Sequence, residues 1–407
     1  MGREMTAPRS DAAPVATKGL SMAGIWALLW LCGTALRMTV LAIPPLIPAI
    51  HRDLGLGETG IGILGSLPSL MFAWAALLGS LLVARFGMVR TLVGGLVLAS
   101  AASALRGVAQ EPYFLYGTTL IMAIGISVMQ PALPPIVRAW MPGRIGLGTS
   151  IYSNGWLVGE ILAVALTIPY VLPLVGGSWR WSLVVWSAPV LATALLMAIF
   201  APRPSASAIR SMAARHWWPA WRQRPLWRMG LTIGGANVSY WASNAFIPDL
   251  MTHIGRADII AGTLTALNVG QLPASFLLLA VGDRLVGRAW PLIGLGVVTL
   301  LGLLGMVSGQ ALWIEVGAAM VGFACAGILI LTLSVPPLIY PVEDVARTTA
   351  GMFVIGYSCS VVVPIIGGVI WDATHSPYPA FSLIALSGLG TLILPRTVVR
   401  RHAGHDV

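Results

Sequence analysis

Arg37 is a charged side chain in the middle of a long apolar run, and its chemistry suits ligand binding. The next ionisable residue, His51, lies about 20 Å further along a helix of roughly 1.5 Å rise per residue. A guanidinium at this depth needs a polar partner. Its planar fork of donors suits carboxylate, nitro or cyanate-like groups. We expect Arg37 to bind an anionic or strongly polar ligand group; the alternative is a structural arginine satisfied by carbonyls and a fixed carboxylate.

Glu160 is the other ionisable residue near the middle of an apolar run. Helical spacing predicts that it shares one face with Ser153, Trp156 and Thr167. Three roles are compatible with this position: a counter-ion for Arg37, a carboxylate that takes up and releases a proton, or a structural, protonated acid. If Glu160 and Arg37 pair, a ligand can compete with Glu160 for the arginine while Glu160 takes up a proton. The roles of counter-ion and proton carrier then belong to one mechanism.

Further polar and aromatic side chains interrupt the apolar runs at helical spacing. In a membrane protein such residues either face a central cavity or hold helices together by hydrogen bonds. We expect the first role, with aromatic rings forming the walls of the ligand site. The expected ligand-binding residues are Arg37, Gln130, Trp156, Tyr240, Trp241, Asn244, Gln271 and Tyr357.

The composition places most of the chain in a membrane. Of the 407 residues, 57% are hydrophobic and only 9% are charged, whereas soluble domains carry about 25% charged residues. A membrane-spanning helix needs about 20 apolar residues. The sequence contains twelve such runs, near 21–50, 59–83, 89–107, 112–141, 146–173, 180–200, 229–252, 258–282, 289–308, 312–340, 347–371 and 378–396.

The twelve spans divide into two halves of six. We predict an all-α membrane protein with a cytoplasmic N-terminal tail (1–20), a six-helix bundle (21–200), a linker (201–228), a second bundle (229–396) and a C-terminal tail (397–407). The linker is expected to lie along the lipid headgroups with its Trp and Arg side chains. A binding site for a regulatory partner is the alternative.

The basic residues orient these spans. With the N-terminus inside, nineteen of the 24 Lys and Arg residues fall on the cytoplasmic side, and four (Arg52, Arg106, Arg180 and Arg256) on the other. The positive-inside rule therefore predicts a multi-pass protein of the bacterial inner membrane with both termini cytoplasmic. Asp249 and Glu315 fall near the outer ends of their spans. We expect their carboxylates to be solvated at the membrane interface; the alternative is that they form part of an outer gate.

Two similar loops follow the second and eighth spans. The first reads Ala84-Arg85-Phe86-Gly87-Met88-Val89-Arg90, and the second Asp283-Arg284-Leu285-Val286-Gly287-Arg288. Both resemble the Asp-Arg-x-Gly-Arg loop of the major facilitator superfamily, although Ala84 replaces the usual Asp. The resemblance implies two pseudo-symmetric six-helix bundles. It also implies gating contacts at the cytoplasmic face through Arg85, Gly87, Arg90, Asp283, Arg284 and Arg288.

A narrower resemblance runs along nearly the whole chain. The residues that carry it are Ala35-Leu36-Arg37, Pro44-Pro45-Leu46-Ile47-Pro48, Asp53-Leu54-Gly55-Leu56, Leu133-Pro134 through Arg138 to Pro142, Gly146-Leu147, Tyr152, Gly177-Ser178-Trp179-Arg180-Trp181, Gly356-Tyr357 and Trp371-Asp372-Ala373-Thr374. They are similar to the cyanate/2-nitroimidazole transporter family. This chain departs from the family at Met38, Gln130 and Glu160.

These observations favour a secondary transporter that moves a small anion or a polar nitro or carboxylate compound by alternating access, with protons as a second partner. We expect a monomer in the bilayer, with no cofactor, no metal and no nucleic-acid partner. The basic residues form no stripe, and no phosphate-binding glycine loop is present. Proton-driven efflux of hydrophobic drugs is the rival within transport. A membrane sensor and a membrane-embedded enzyme are the rivals outside it.

Overall fold

The computed structural model describes residues 20–56, 58–202 and 217–393. The predicted tails, apart from Leu20, and the linker residues 203–216 lie outside these ranges. Within them, helices coincide with all twelve predicted spans. The predicted all-helical architecture is confirmed.

The first six helices occupy residues 22–200. In chain order they are α1 (Met22–Leu41, continued by Pro44–Leu46 and Ile47–Leu54), α2 (Glu58–Trp74 and Ala76–Phe86), α3 (Met88–Leu105, ending in Arg106–Val108), α4 (Pro112–Met129, Gln130–Ala132 and Leu133–Trp140), α5 (Ile145–Leu166, Thr167–Val171 and Leu172–Leu174) and α6 (Trp179–Phe200). The Ser178 side chain caps α6 by accepting a hydrogen bond from the Trp181 N–H (3.3 Å).

The second six helices follow in the same manner. They are α7 (Arg224–His253), α8 (Ala257–Ile259, Ile260–Val269 and Gln271–Leu285), α9 (Ala289–Met306), α10 (Ala311–Leu333 and Val335–Ile339), α11 (Val342–Thr374) and α12 (Tyr378–Ile393). Both α7 and α11 begin five residues before the predicted spans 229–252 and 347–371. Arg224 and Arg228 therefore belong to a helix rather than to an extended linker.

Nine helices in the described part of the chain are long and apolar enough to cross a membrane. Within α2, Leu67–Trp74 and Ala76–Phe86 meet at a bend of 47° and make a tenth when they are counted as one span. α7 is long but polar, because its middle carries Asn237, Tyr240 and Asn244. α12 is apolar but short within the described residues. Long polar helices in a membrane face protein or a water-filled cavity, so α7 is expected beside the site.

The two halves repeat each other in their irregularities. α4 is interrupted before Leu133-Pro134-Pro135 and α10 before Val335-Pro336-Pro337, because a proline cannot donate to the preceding turn. The loops after α2 and α8 turn at Gly87 (φ 84°) and Gly287 (φ 77°), a region that favours glycine. These repeats support the pseudo-symmetry that the two loops predict.

Helices α2, α4 and α5 pack against α8, α10 and α11 across the interface between the halves. At the end where Gly87 and Gly287 lie, called here the loop end, polar contacts join the halves. The Arg138 guanidinium of α4 donates to the carbonyls of Pro337 and Leu338 at the end of α10. These contacts close the molecule at its loop end.

Candidate functional site

The site is positioned by close backbone packing of α1 on α5. Gly33 of α1 and Gly155 and Gly159 of α5 lie in this contact, and a Cβ at any of them would lie 1.9–2.4 Å from a backbone oxygen of the facing helix. Small residues at spacing i, i+4 allow helices in membranes to approach this closely. The contact brings Arg37 and Glu160, which follow these glycines in sequence, to the same level.

Arg37 and Glu160 form an ion pair, with 3.3 Å between Arg37 Nε and Glu160 Oε1. The Arg37 side chain is 4% exposed and that of Glu160 17%. The Trp156 indole Nε1–H donates to the same Oε1 (3.3 Å), and its ring lies 4.2 Å from Arg37 Cζ. The Arg37–Glu160 contact lacks hydrogen-bond geometry. Each group thus has a partner of opposite charge within the membrane-spanning part of the chain.

Tyr357 connects this pair to the second half of the molecule. Its hydroxyl accepts a hydrogen bond from Arg37 Nη2 (3.3 Å) and donates to Gln130 Oε1 (3.4 Å). Its ring packs between Phe72 of α2 and Phe353 of α11, with centroid distances of 5.5 and 5.8 Å. Tyr357 is therefore a bridge from α11 to α1 and α4.

A second polar cluster lies on α7 and α8. The Tyr240 hydroxyl donates to Asn268 Oδ1 (2.5 Å), and Asn268 Nδ2 donates to Asn244 Oδ1 (3.0 Å). The Tyr240 ring meets that of Trp241 edge-on at 5.4 Å. Gln271 donates to the Asn268 carbonyl (3.4 Å). Much of this polarity holds α7 against α8, which was the alternative role for such residues.

The expected ligand residues thus fall into two groups. Those gathered around the guanidinium, beside the expected proton-coupling residue Glu160, are Arg37, Gln130, Trp156 and Tyr357, and those on α7 and α8 are Tyr240, Trp241, Asn244 and Gln271. Thr167, which was expected on the same face as Glu160, contacts a different helix. Its hydroxyl accepts a hydrogen bond from Trp186 Nε1 of α6 (2.8 Å), and a wider helical turn begins at this residue.

Sequence reasoning missed two features of the site. Phe72 lies 4.9 Å from Arg37 Cζ, and no sequence signal separates it from other apolar residues of α2. Asn154 donates to Ser275 Oγ of α8 (2.8 Å) and accepts from Trp30 Nε1 of α1 (2.9 Å). A buried asparagine in mid-span is a signal that was available.

The loop residues share one turn geometry but make different contacts. Asp283 Oδ1 accepts a hydrogen bond from the Leu147 N–H at the first turn of α5 (2.8 Å). Arg85, Arg90, Arg284 and Arg288 are exposed, and Arg85 lies against the Phe86 ring. In the first half, the Ser80 hydroxyl donates to the Trp217 carbonyl (2.7 Å), one turn before Ala84.

Two arginines at the opposite end are anchored within the first half. Arg106 is fully buried, and its Nη2 donates to the Thr39 carbonyl (2.8 Å) and to Ser103 Oγ (2.7 Å). Asp53 pairs with Arg180 and accepts from Trp179 Nε1 (3.0 Å). The Trp179 hydrogen bond, followed by that of Arg180, lowers the pKa of Asp53.

The two acidic residues expected near the ends of their spans, Asp249 and Glu315, are not described in contact with Arg37 or Glu160. The Asp249 side chain lies outside what the structure describes. Glu315 is half-buried beside Gly262, at the end of α10 that lies away from the loop end. Within the described ranges, no three His, Cys, Asp or Glu side chains cluster as metal ligands would.

Comparison with known proteins gives a consistent family. The family model described as Major Facilitator Superfamily matches residues 29–255. An uncharacterised transporter of Bacillus subtilis is 27% identical over 86% of this chain and 87% of its own length. The 2-nitroimidazole transporter of Escherichia coli is 28% identical over 58% of this chain and 59% of its own length. The cyanate transport protein of the same organism is 24% identical over 90% and 95%.

Two further proteins are similar to this chain. A puromycin resistance protein of Streptomyces alboniger is 29% identical over 39% of this chain and 31% of its own length. Among solved structures, the fucose:proton symporter of Escherichia coli superposes with a TM-score of 0.70, covering 92% of this chain and 98% of its own at 16% identity. At that identity the structural likeness concerns the fold alone.

Proposed function

Because the chain belongs to the Major Facilitator Superfamily and is a membrane transporter, we propose that it carries a small anion or a polar carboxylate or nitro compound by alternating access. The observation that carries this proposal is the buried guanidinium of Arg37, held by Glu160 and Tyr357 between the two halves. The names of two relatives, a 2-nitroimidazole and a cyanate transporter, agree with this substrate class.

Arg37 and Glu160 together provide a site that exchanges ligands. An anionic group that binds Arg37 at another N–H edge neutralises the charge that Glu160 faces at Nε, so it competes with Glu160 for the same positive charge without having to occupy its place. A carboxylate that loses its counter-ion in a low-dielectric site binds a proton more readily. Substrate binding and proton uptake are thus linked at Glu160, and the rocking of the two halves carries both across the membrane.

The closed loop end fixes the direction in which the site opens, once the chain is oriented. The excess of basic residues on the loop side supports a cytoplasmic position for that end and for both termini, in the bacterial inner membrane. With this orientation, the contacts at the loop end close the protein towards the cytoplasm. Reporter fusions to each terminus test this orientation: activity of a cytoplasm-only reporter is expected at both, and a periplasmic reporter active at either would contradict it.

Counterflow in proteoliposomes tests the anion site. With 2-nitroimidazole, cyanate and benzoate as probes, Arg37→Ala and Arg37→Lys are expected to lower apparent affinity at least tenfold, because neither restores the planar fork. Wild-type affinity in either variant would overturn the anion site. Glu160→Gln is expected to abolish the dependence of counterflow on pH. Full activity of this variant, with counterflow unaffected by pH in the wild type, would overturn proton coupling.

A second candidate function is proton-driven efflux of hydrophobic drugs, in which Arg37 is structural and the aromatic rings dominate recognition. The similarity to a puromycin resistance protein favours it. The two functions separate in one assay, since efflux of this kind predicts transport of lipophilic cations that persists in Arg37→Ala. Transport of the anionic probes that is lost in Arg37→Ala selects the first proposal.

A further inference from the structure

The surroundings of Arg37 restrict how a ligand can reach it. Rings from two different helices lie against Cζ, Trp156 at 4.2 Å and Phe72 at 4.9 Å. Glu160 lies at Nε, and Tyr357 at one hydrogen of Nη2. Because aromatic rings occupy the surroundings of the guanidinium carbon, a ligand must approach along an N–H edge.

One edge remains for such an approach. Within the described part of the chain Nη1 of Arg37 donates to no protein acceptor, yet it is not sealed from solvent as Nε is. Nη1 and Nη2 together form the end of the guanidinium fork. Two parallel N–H donors match a planar group with two oxygens, which accepts both bonds in one plane. A linear anion offers only one atom to this edge.

The Tyr357 hydroxyl occupies part of that edge through weak contacts. Its distances to Arg37 Nη2 and Gln130 Oε1, 3.3 and 3.4 Å, are at the long end for hydrogen bonds between such atoms. The ring stays fixed between Phe72 and Phe353 whether or not the hydroxyl keeps its partners. The hydroxyl can therefore give up Arg37 without disturbing the packing of α11.

We propose that the substrate carries a planar two-oxygen group, a carboxylate or a nitro group, which binds edge-on to Nη1 and Nη2 of Arg37 and displaces the Tyr357 hydroxyl. Tyr357 is then a positioning residue: it orients the empty guanidinium and ties α11 to α1 until the substrate replaces it. This inference rests on the proposed role of Arg37 as the anion site, and it adds the shape of the group and the residue that yields to it.

Calorimetric titration of the purified full chain tests the shape of the ligand. The planar probes are benzoate and 2-nitroimidazole, and the linear probe is cyanate. The wild type is expected to bind at least one planar probe about tenfold more tightly than cyanate, and Arg37→Ala to bind none. Cyanate binding through Arg37 that equals or exceeds that of both planar probes overturns this inference and leaves the proposed function standing. Absence of any Arg37-dependent binding overturns both.

The Tyr357→Phe variant tests the displacement. It keeps the ring between Phe72 and Phe353 and removes only the competing hydroxyl, so affinity for the planar probe is expected to stay the same or rise several-fold. A direct ligand would show the opposite change. A fall of tenfold or more therefore overturns displacement by the substrate. Tyr152→Phe is the matched control, because the buried Tyr152 hydroxyl has no hydrogen-bond partner among the described residues, and unchanged affinity is expected there.

Discussion

The Asp283 carboxylate, at the start of the second glycine loop, accepts a hydrogen bond of 2.8 Å from the backbone N–H of Leu147. Leu147 belongs to the first turn of α5, where backbone N–H groups lack intrahelical acceptors and the helix dipole favours negative charge. Asp283 belongs to the other half. The bond therefore exists only while the halves are closed at the loop end, and Gly146, whose Cβ would lie 2.7 Å from the Asp283 nitrogen, permits the approach.

Asp283→Ala is expected to shift the protein towards the conformation open at the loop end. Helix capping of this kind is worth about 0.5–2 kcal/mol, which corresponds to a change of roughly two- to thirty-fold in the equilibrium. The measurement is the thiol-labelling rate of Ser150→Cys, a position buried against Gly282, in a background without the three native cysteines. Asp258→Ala, which removes an exposed carboxylate at the opposite end, is the control. Equal labelling rates in both variants would contradict a latch at Asp283.

Gly155→Ala is expected to impair transport although it adds only one methyl group. Its Cβ would lie 2.2 Å from the Trp30 carbonyl, so α1 and α5 must separate and the Arg37–Glu160 distance must grow. Overpacking of this kind costs about 1–3 kcal/mol. We expect a lower melting temperature and at least tenfold slower counterflow. Gly94→Ala, whose Cβ meets nothing within 4 Å, is the control; if the two variants behave alike, the packing argument fails.

Arg106→Leu is expected to lower the melting temperature by a few degrees. Arg106 donates to the Thr39 carbonyl in the last turn of α1. Carbonyl groups in the last turn of a helix have no backbone N–H partner within that helix. Loss of a donor to a buried acceptor costs about 1–3 kcal/mol, and part of this is offset because Arg106 Nε and Nη1, buried without a hydrogen-bond partner among the described residues, are removed as well. Arg52→Leu, an exposed arginine that donates to the Pro48 carbonyl (3.2 Å), should change the melting temperature little. A fully stable Arg106→Leu would show that this buried charge is dispensable.

Asp53 is expected to make the stability of α1, at the end that lies away from the loop end, depend on acid. Its pKa is lowered by the hydrogen bonds from Trp179 and Arg180. A carboxyl whose pKa is lower in the folded state stabilises the fold above its unfolded pKa, near 4, and this contribution disappears as the pH falls through the folded pKa. Thermal unfolding between pH 2 and 7 should show a steeper loss in the wild type than in Asp53→Asn. Parallel curves for the two proteins would exclude this contribution.

The sequence predicted the helices well because each span is a long apolar run bounded by charges or glycine, and the bilayer allows few alternatives. It also singled out Arg37, Glu160 and Tyr357, since polar side chains are rare at that depth. Their mutual contacts were not predictable, because they depend on how closely α1 approaches α5 and α11. The contacts of Gly33, Gly155 and Gly159 set the distance between α1 and α5. In the sequence, nothing distinguishes these three glycines from the other glycines among the 46 of the chain.

Arg106 shows the opposite limit. Counted by sequence, it is one of four basic residues on the outer side, and the positive-inside rule treats it as a loop charge. In the structure it is fully buried and serves the end of a helix. Counting charges cannot separate a buried arginine from an arginine in a loop. The count uses only the position of the residue along the chain, and not the hydrogen-bond acceptor that its guanidinium contacts. Phe72 was missed for a related reason: only the three-dimensional contact distinguishes it from its apolar neighbours.

The glycine contacts between α1 and α5 also have an electrical consequence. Both helices belong to the same half and pack closely, so the Arg37–Glu160 ion pair, with a net charge of zero, is expected to move as a unit. Moving one elementary charge through 100 mV changes the free energy by about 2.3 kcal/mol. On the proposed mechanism, the empty carrier is therefore expected to reorient almost independently of the membrane voltage, whereas a carrier that holds an anion but no proton at Glu160 is not. Voltage then acts on the loaded step alone, and a proton bound at Glu160 removes even that dependence.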